Sequence, residues 1–351
     1  MPQIWKSSLA LDLQLPTSFP FSMSLEGMFN KTIWGTRLTN WNINESAVTS
    51  RFSGPDKRLN YAAAPYTYGG NNAYILTNSR EGWGYTINYM MKAEPIRNLK
   101  LMFSYTHTES KEISGMPGSA ANSAYQGLAS VDGPNFLTLQ RSQYVVPDKI
   151  SADISYYIDL IGGLQVDLYY SGYSAYGNSF TYSNDMNGDG LSTDLIYIPA
   201  TKDEVAFKTE ADRDAFWKFV EQDTYLSAHK GQYAEANAAR SPFVHRFDLR
   251  IAKDIKFNIG STSHKFQISA SIDNIGNMLN SNWGVRKLDC YNKNSFTGVI
   301  APLKYEGLEG GVPTFSFNKV GDAYPTQTYT TCLKETYECW QVLLGLKYFF
   351  N

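Results

Sequence analysis

The stretch Trp340-Gln341-Val342-Leu343-Leu344-Gly345-Leu346-Lys347-Tyr348-Phe349-Phe350 interleaves two kinds of side chain. Its even positions, Trp340, Val342, Leu344, Leu346, Tyr348 and Phe350, are all apolar or aromatic, whereas Gln341, Gly345 and Lys347 break the odd set. Successive side chains of a β-strand point to opposite faces, so a period of two gives one greasy face and one mixed face. The run is about as long as a tilted strand must be to cross a bilayer, roughly 9–11 residues. The even set is therefore the expected lipid-facing side.

The same alternation recurs upstream. Leu9, Leu11, Leu13 and Leu15 recur at every second position with Asp12 and Gln14 between, as do Trp83, Tyr85, Ile87, Tyr89 and Met91 with Gly84, Thr86 and Asn88 between. Further runs are Leu99-Leu101-Phe103-Tyr105, Ile150-Ala152-Ile154-Tyr156-Ile158, Leu164-Val166-Leu168-Tyr170, Phe247-Leu249-Ile251 and Phe266-Ile268-Ala270-Ile272, each at every second position. Nine strands are expected, over 4–15, 21–35, 83–93, 98–109, 149–159, 163–173, 244–257, 264–275 and 340–350.

A water-soluble sandwich shows the same period, so the links between strands carry the distinction. Short turns at 16–20, 94–97, 160–162 and 258–263 alternate strictly with long segments at 36–82, 110–148, 174–243 and 276–339. Compact domains seldom tolerate such loops, whereas outer-membrane barrels combine short periplasmic turns with long extracellular loops. With the short turns inside, Trp5, Trp83 and Trp340 all fall at the outer ends of strands, on the apolar register, where indole suits the headgroup level. The 25 Tyr and 19 Phe fit aromatic girdles at both interfaces. The expected fold is all-β: part of an antiparallel transmembrane barrel with long extracellular loops, one of them carrying a short helix.

That helix is expected near 210–228, with Thr209 and Asp212 capping it and Phe216, Phe219 and Val220 on one face beside Trp217. It reads as a lid or strut on the barrel mouth. Ahead of it, Asn184-Asp185-Met186-Asn187-Gly188-Asp189-Gly190 and Asp194 place carboxylates at alternate positions before glycine, like the start of a calcium loop. The closing acid of an EF-hand is missing, Ile196 standing at that position. Asp185, Asn187, Asp189 and Asp194 are the candidate calcium ligands, and an Asp-Gly turn held by Asx hydrogen bonds is the alternative.

Other chemistries are excluded by what the chain lacks. Lys and Arg total 31 against 33 Asp and Glu, so no basic field points to nucleic acid. His107, His229, His245 and His264 are scattered, and no GxSxG, HExxH or phosphate-loop motif occurs, so no enzyme is expected. Asp248, Arg250, Asp254 and Lys256 read as a polar lumen face. Cys290, Cys332 and Cys339 lack zinc spacing; outside the cell one disulfide with one thiol left over is plausible, the pairing open. No apolar run is long enough for a transmembrane helix, and no secretory signal follows Met1, which reads as an internal or artificial start.

Several segments together resemble Oar-like TonB-dependent receptors: Gly54-Pro55-Asp56-Lys57-Arg58, the Asn187–Pro199 region, Tyr225–Tyr233 with Asn237, Arg240 and Pro242, His245-Arg246-Phe247-Asp248-Leu249-Arg250, Asp273-Asn274-Ile275-Gly276-Asn277 and Leu346–Phe350. The aromatic end of the chain also looks like the signal read by barrel-assembly machinery, with Asn351 after the last Phe as a departure. The resemblance implies a plugged barrel of about 22 strands, residues 1–351 being its carboxy-terminal part, without the plug and the earlier strands. It implies an outer-membrane location, coupling to the TonB system through that plug, and import of a nutrient whose identity no motif specifies. A soluble or surface-exposed β-rich carbohydrate-binding module is the alternative of a different class, and a small self-contained porin or adhesin is a third.

Overall fold

A computed structural model of the chain describes residues 1–61, 66–159, 163–175, 177–331 and 338–350. All nine expected strands form, with ends shifted by a few residues: β1 (Gln3–Gln14), β2 (Phe21–Asn40), β3 (Gly82–Ile96), β4 (Leu99–Glu112), β5 (Asp148–Ile158), β6 (Leu164–Tyr173), β7 (Val244–Ile259), β8 (Thr262–Asp273) and β9 (Gln341–Phe350). They pair antiparallel in chain order, so the sheet is a meander in which β1 and β9 each have one neighbour. Two short strands extend it, Tyr74–Ser79 on β2 and Gln140–Arg141 on β4.

The turns at one end are tighter than the sequence reading drew them. Only Arg97-Asn98 separates β3 from β4, and only Gly260-Ser261 separates β7 from β8. Asn98 and Gly260 lie at φ 68° and 62°, the left-handed region that such short links require and that Asn and Gly tolerate best. The expected turn at 160–162 lies outside the described residues, as do Cys332 and Asn351. Cys290 is buried and Cys339 exposed, both as free thiols.

The four long segments are not independent loops. Together they build a cap with its own core, in which Phe52 from the first, Ala129 from the second, Phe180, Ile196, Phe216 and Phe219 from the third, and Ile300, Leu303, Phe315 and Phe317 from the fourth share one buried cluster. At its centre lies a mixed sheet in the order 206–207, 312–317, 299–309, 177–182 and 239–240. The strands 299–309 and 312–317 are joined by Gly310-Gly311, both at positive φ. That is the type I′ hairpin signature, and it was readable in the sequence.

Among the described residues, α-helices occur in three of the four long segments rather than one: α1 (Ala121–Gln126), α2 (Glu210–Gln222), α3 (Thr224–Ala228) and α4 (Ile275–Leu279). α2 begins as expected. The Thr209 hydroxyl accepts the Asp212 amide at 3.0 Å and donates to its carboxylate at 2.6 Å. Phe216, Phe219 and Val220 are its buried face, packed edge-on and tilted against Phe317 of the cap sheet, while Trp217 lies under the Lys230 ammonium at 4.3 Å.

Candidate functional site: an uncovered apolar wall and a cap pinned by buried charge

Register makes the apolar residues of the nine strands into continuous ranks. One rank runs Val342, Ile272, Leu249, Leu168, Ile154, Leu101, Ala93 and Phe21 across eight strands. Next to it runs Leu344, Ala270, Ile251, Val166, Tyr156 and Leu99. A third runs Leu13, Met23, Met91, Phe103, Ala152, Tyr170 and Phe247. Residues directly opposite on paired strands share a face, so these ranks tile one side of the wall.

That side is not covered by protein. Leu9 is 80% exposed, Leu344 77% and Leu346 69%, and Trp340, Val342, Tyr348 and Phe350 of the terminal strand's even set are exposed too. Of the fully buried residues in the four apolar clusters, only Leu38 belongs to a wall strand. The buried hydrophobic clusters of the described residues therefore lie mainly in the cap, and the apolar side of the wall is left exposed. Monomeric soluble proteins rarely expose contiguous apolar patches beyond several hundred Å², and eight-strand ranks far exceed that scale.

Trp5 and Trp83 lie in one rank, separated by Lys31 on β2, at the cap end of the wall. Trp340 stands at the same end, its amide donating to Asn277 Oδ1 at 3.3 Å.

The opposite face is mostly polar. Asp12, Ser24, Met90, Ser104, Ser151, Ser171 and Arg246 form one of its ranks. The four charges singled out on β7 do not pair with one another. Arg250 instead meets Asp167 of β6 at 3.0 Å, Asp254 meets Lys265 of β8 at 3.4 Å, and Asp248 meets Arg246 on its own strand at 3.2 Å. Met90, Met102, Leu343 and Phe349 interrupt this face.

Three of the sequence segments behind the resemblance meet in the cap, at Asp56 and Arg58, at Asp194 and Leu195, and at Tyr233. Arg58 is fully buried, its Nη2 3.0 Å from Asp56 and its Nη1 3.6 Å from Asp194. The Tyr182 and Tyr233 hydroxyls each donate to Asp56 at 3.1 Å, and both rings face the guanidinium, 4.9 and 5.6 Å from their centroids. Residues far apart in sequence thus close one knot: a buried cation held by two carboxylates, two phenols and the Leu195 carbonyl.

Beside it, carboxylate oxygens of Asp185, Asp189 and Asp194 all lie within 4.8 Å of one another. Asp194 supplies the third carboxylate from two residues before the position where an EF-hand has its closing acid. Burial pushes the Asp189 carboxyl up to about 8, with the neighbouring Asp194 and Asp185 charges adding to it. Burial also raises Asp194 to about 7, against the opposing pull of Arg58. Acids so placed favour a proton or a cation between them, and their hard oxygens suit calcium.

The Asx turns expected as the alternative are present as well. Asp185 accepts the Gly188 and Gly190 amides at 2.7 and 2.8 Å, and buried Asn187 accepts the Asp189 amide at 2.9 Å. Neighbouring segments clamp this loop, with the Tyr61 amide on the Asn187 carbonyl at 2.7 Å and the Leu195 amide on the Ser130 carbonyl at 2.8 Å.

The four histidines occupy separate places: His107 on Asp148, His229 on the Tyr225 carbonyl, His245 on Tyr170 and His264 on Tyr348. Comparison with protein-family models, with curated proteins and with solved structures gives no match.

Proposed function

We propose that this chain forms part of the wall and outer cap of an outer-membrane β-barrel, in a TonB-dependent importer of a small nutrient. One observation carries this reading: the apolar ranks of the wall stay uncovered while every buried apolar cluster of the described residues is centred on the cap. Hydrocarbon is the solvent such a face needs. Alternation of short turns at one end with capped segments at the other supports the orientation, and the Trp5–Lys31–Trp83 rank supports a headgroup boundary at the cap end. The meeting of three receptor-like segments at Arg58 is consistent with that resemblance.

Reconstitution tests the membrane part directly. In vesicles of lipids brominated on their acyl chains, tryptophan emission is expected to be quenched relative to unbrominated vesicles, and the protein should migrate differently on gels with and without boiling. Recovery as a soluble monomer with unquenched emission, even with strands supplied to both flanks of the wall, would overturn the reading and favour the soluble carbohydrate-binding module.

Within this reading, Asp185, Asp189 and Asp194 hold a calcium ion that ties the cap together. Calcium at about one hundred times its dissociation constant is expected to stabilise the cap by about 2.7 kcal/mol. Asp189→Asn should abolish that gain in a thermal melt, and a melt insensitive to calcium and chelator would remove the ion from the account.

A further inference from the structure

At its cap end the apolar side of the wall carries a cation with no partner. Lys31 of β2 stands directly between Trp5 of β1 and Trp83 of β3, and residues opposite one another on paired strands share a face. Its ammonium forms no hydrogen bond or ion pair among the described residues. Neither indole N–H has an acceptor there either. Trp5 meets Phe29 edge-on, the ring centroids 6.0 Å apart, and Trp83 stacks on Tyr85 at 6.1 Å. Three donors thus lie side by side, spaced by the roughly 4.8 Å between neighbouring strands.

The other charges of this corner are engaged or stand apart. The same rank continues from Trp83 to Lys111 and Arg141. Lys111 meets Glu235 at 2.9 Å, and Arg141 meets Glu109 at 3.3 Å and Glu235 at 3.6 Å. Asp148 lies three strands away from Lys31, where it accepts the Tyr105 hydroxyl at 2.7 Å and the Ser174 hydroxyl at 3.4 Å and sits 2.8 Å from His107 Nδ1. Arg80 lies over the Trp34 ring at 4.2 Å, and Glu81, exposed just ahead of β3, does not reach Lys31. The corner as a whole is close to neutral. The preference it creates is local, a lysine set among aromatic rings.

Below the donors the same face opens. Gly27 follows on β2, directly between Leu9 and Ile87. A Cβ there would meet no atom within 4 Å, while Leu9 and Ile87 on either side are both exposed. Two projecting side chains with none between them leave a furrow that runs from Phe29 toward the short turns.

We propose that this row and furrow bind one anionic phospholipid from the leaflet at the cap end. Its phosphate, with several acceptor oxygens, takes the Lys31 ammonium and the flanking indole N–H groups, and an acyl chain lies over Gly27. A lysine stem covers apolar surface while its head reaches the headgroup level, and a zwitterionic choline lipid would bring a fixed cation that Lys31 repels. The proposal rests on the membrane reading above, but the preference among lipids does not follow from that reading.

The test is tryptophan quenching in vesicles that mix phosphatidylglycerol with phosphatidylcholine, one or the other brominated high on its acyl chains. Varying the brominated fraction of each gives their relative affinity at the protein surface. Phosphatidylglycerol is expected to be favoured about fivefold, the scale of one basic side chain at an anionic surface. Lys31→Gln should erase that preference and Lys31→Arg should keep most of it. Lys6→Gln, next to Trp5 but on the opposite face across from Asn30, should leave it intact. Inorganic phosphate at matched ionic strength should not displace the lipid, and displacement by it would overturn the assignment of the furrow. Equal quenching by the two lipids, or a preference that survives Lys31→Gln, would overturn the proposal and leave the wall in the membrane. No quenching by either lipid, with strands supplied to both flanks of the wall, would overturn it together with the membrane reading.

Discussion

Leu344→Lys is expected to cost about 2–4 kcal/mol in a bilayer, and to block assembly into membranes. Leu344 lies on β9 in the apolar rank opposite Ala270, and it is among the most exposed residues of the wall. In water an exposed leucine replaced by lysine would change stability by no more than about 0.5 kcal/mol, so the substitution separates hydrocarbon from water as the solvent of that face. Ser24→Lys supplies the control. Ser24 lies on the opposite face, directly across from Asp12, where a lysine gains a partner and stays hydrated. Folding into vesicles followed by gel mobility without boiling reads both variants. Equal tolerance of the two would mean that lipid does not cover the Leu344 side.

Arg58→Met is expected to destabilise the cap by about 3–5 kcal/mol, the scale of breaking a buried ion pair from one side. The loss is large because Asp56 and Asp194, both nearly inaccessible to water, would lose the guanidinium that lies between them. Removing the acids as well, in Asp56→Asn/Arg58→Met/Asp194→Asn, should recover part of the loss, since well-packed neutral groups often replace a buried pair at little cost. Near-ultraviolet dichroism suits the measurement, because Tyr182 and Tyr233 both face Arg58. A single-variant loss below about 1 kcal/mol would show that the apolar cluster alone holds the four segments together.

The wall was legible in the sequence because its strands are long, alternate strictly and pair with their chain neighbours. Val342, Leu344 and Leu346 announce a face whether or not the partner strand is known. The cap was not legible, for the opposite reasons. Its strands run from 2 to 11 residues, and several pair across large separations, as Ala206-Phe207 does with Thr314-Phe315 in parallel. No local period marks a two-residue strand. The helix capped by Thr209 and the Gly310-Gly311 hairpin were the cap features with a clear local signal, and the hairpin lay inside a segment read only as loop.

The candidate site divides in the same way. Sequence spacing was enough to pick out Asp185, Asn187, Asp189 and Asp194, and the structure brings the three carboxylates among them together. Arg58 carried no local signal of its role, since a lone arginine in a Gly-Pro-Asp-Lys-Arg run reads as a solvated turn. Its burial follows from contacts to residues more than a hundred positions away.

The two outermost strands have a consequence for anything that would hold this wall in a membrane. β1 and β9 each spend one side of their backbone on a neighbour, and the other side offers amides and carbonyls with no strand beside them. Water can satisfy such groups; acyl chains cannot, at several kcal/mol for each group left bare. Any state that immerses the wall must therefore bring further backbone to both flanks, in one polypeptide or between several. The seams at Gln3–Gln14 and Gln341–Phe350 are where that joining would take place.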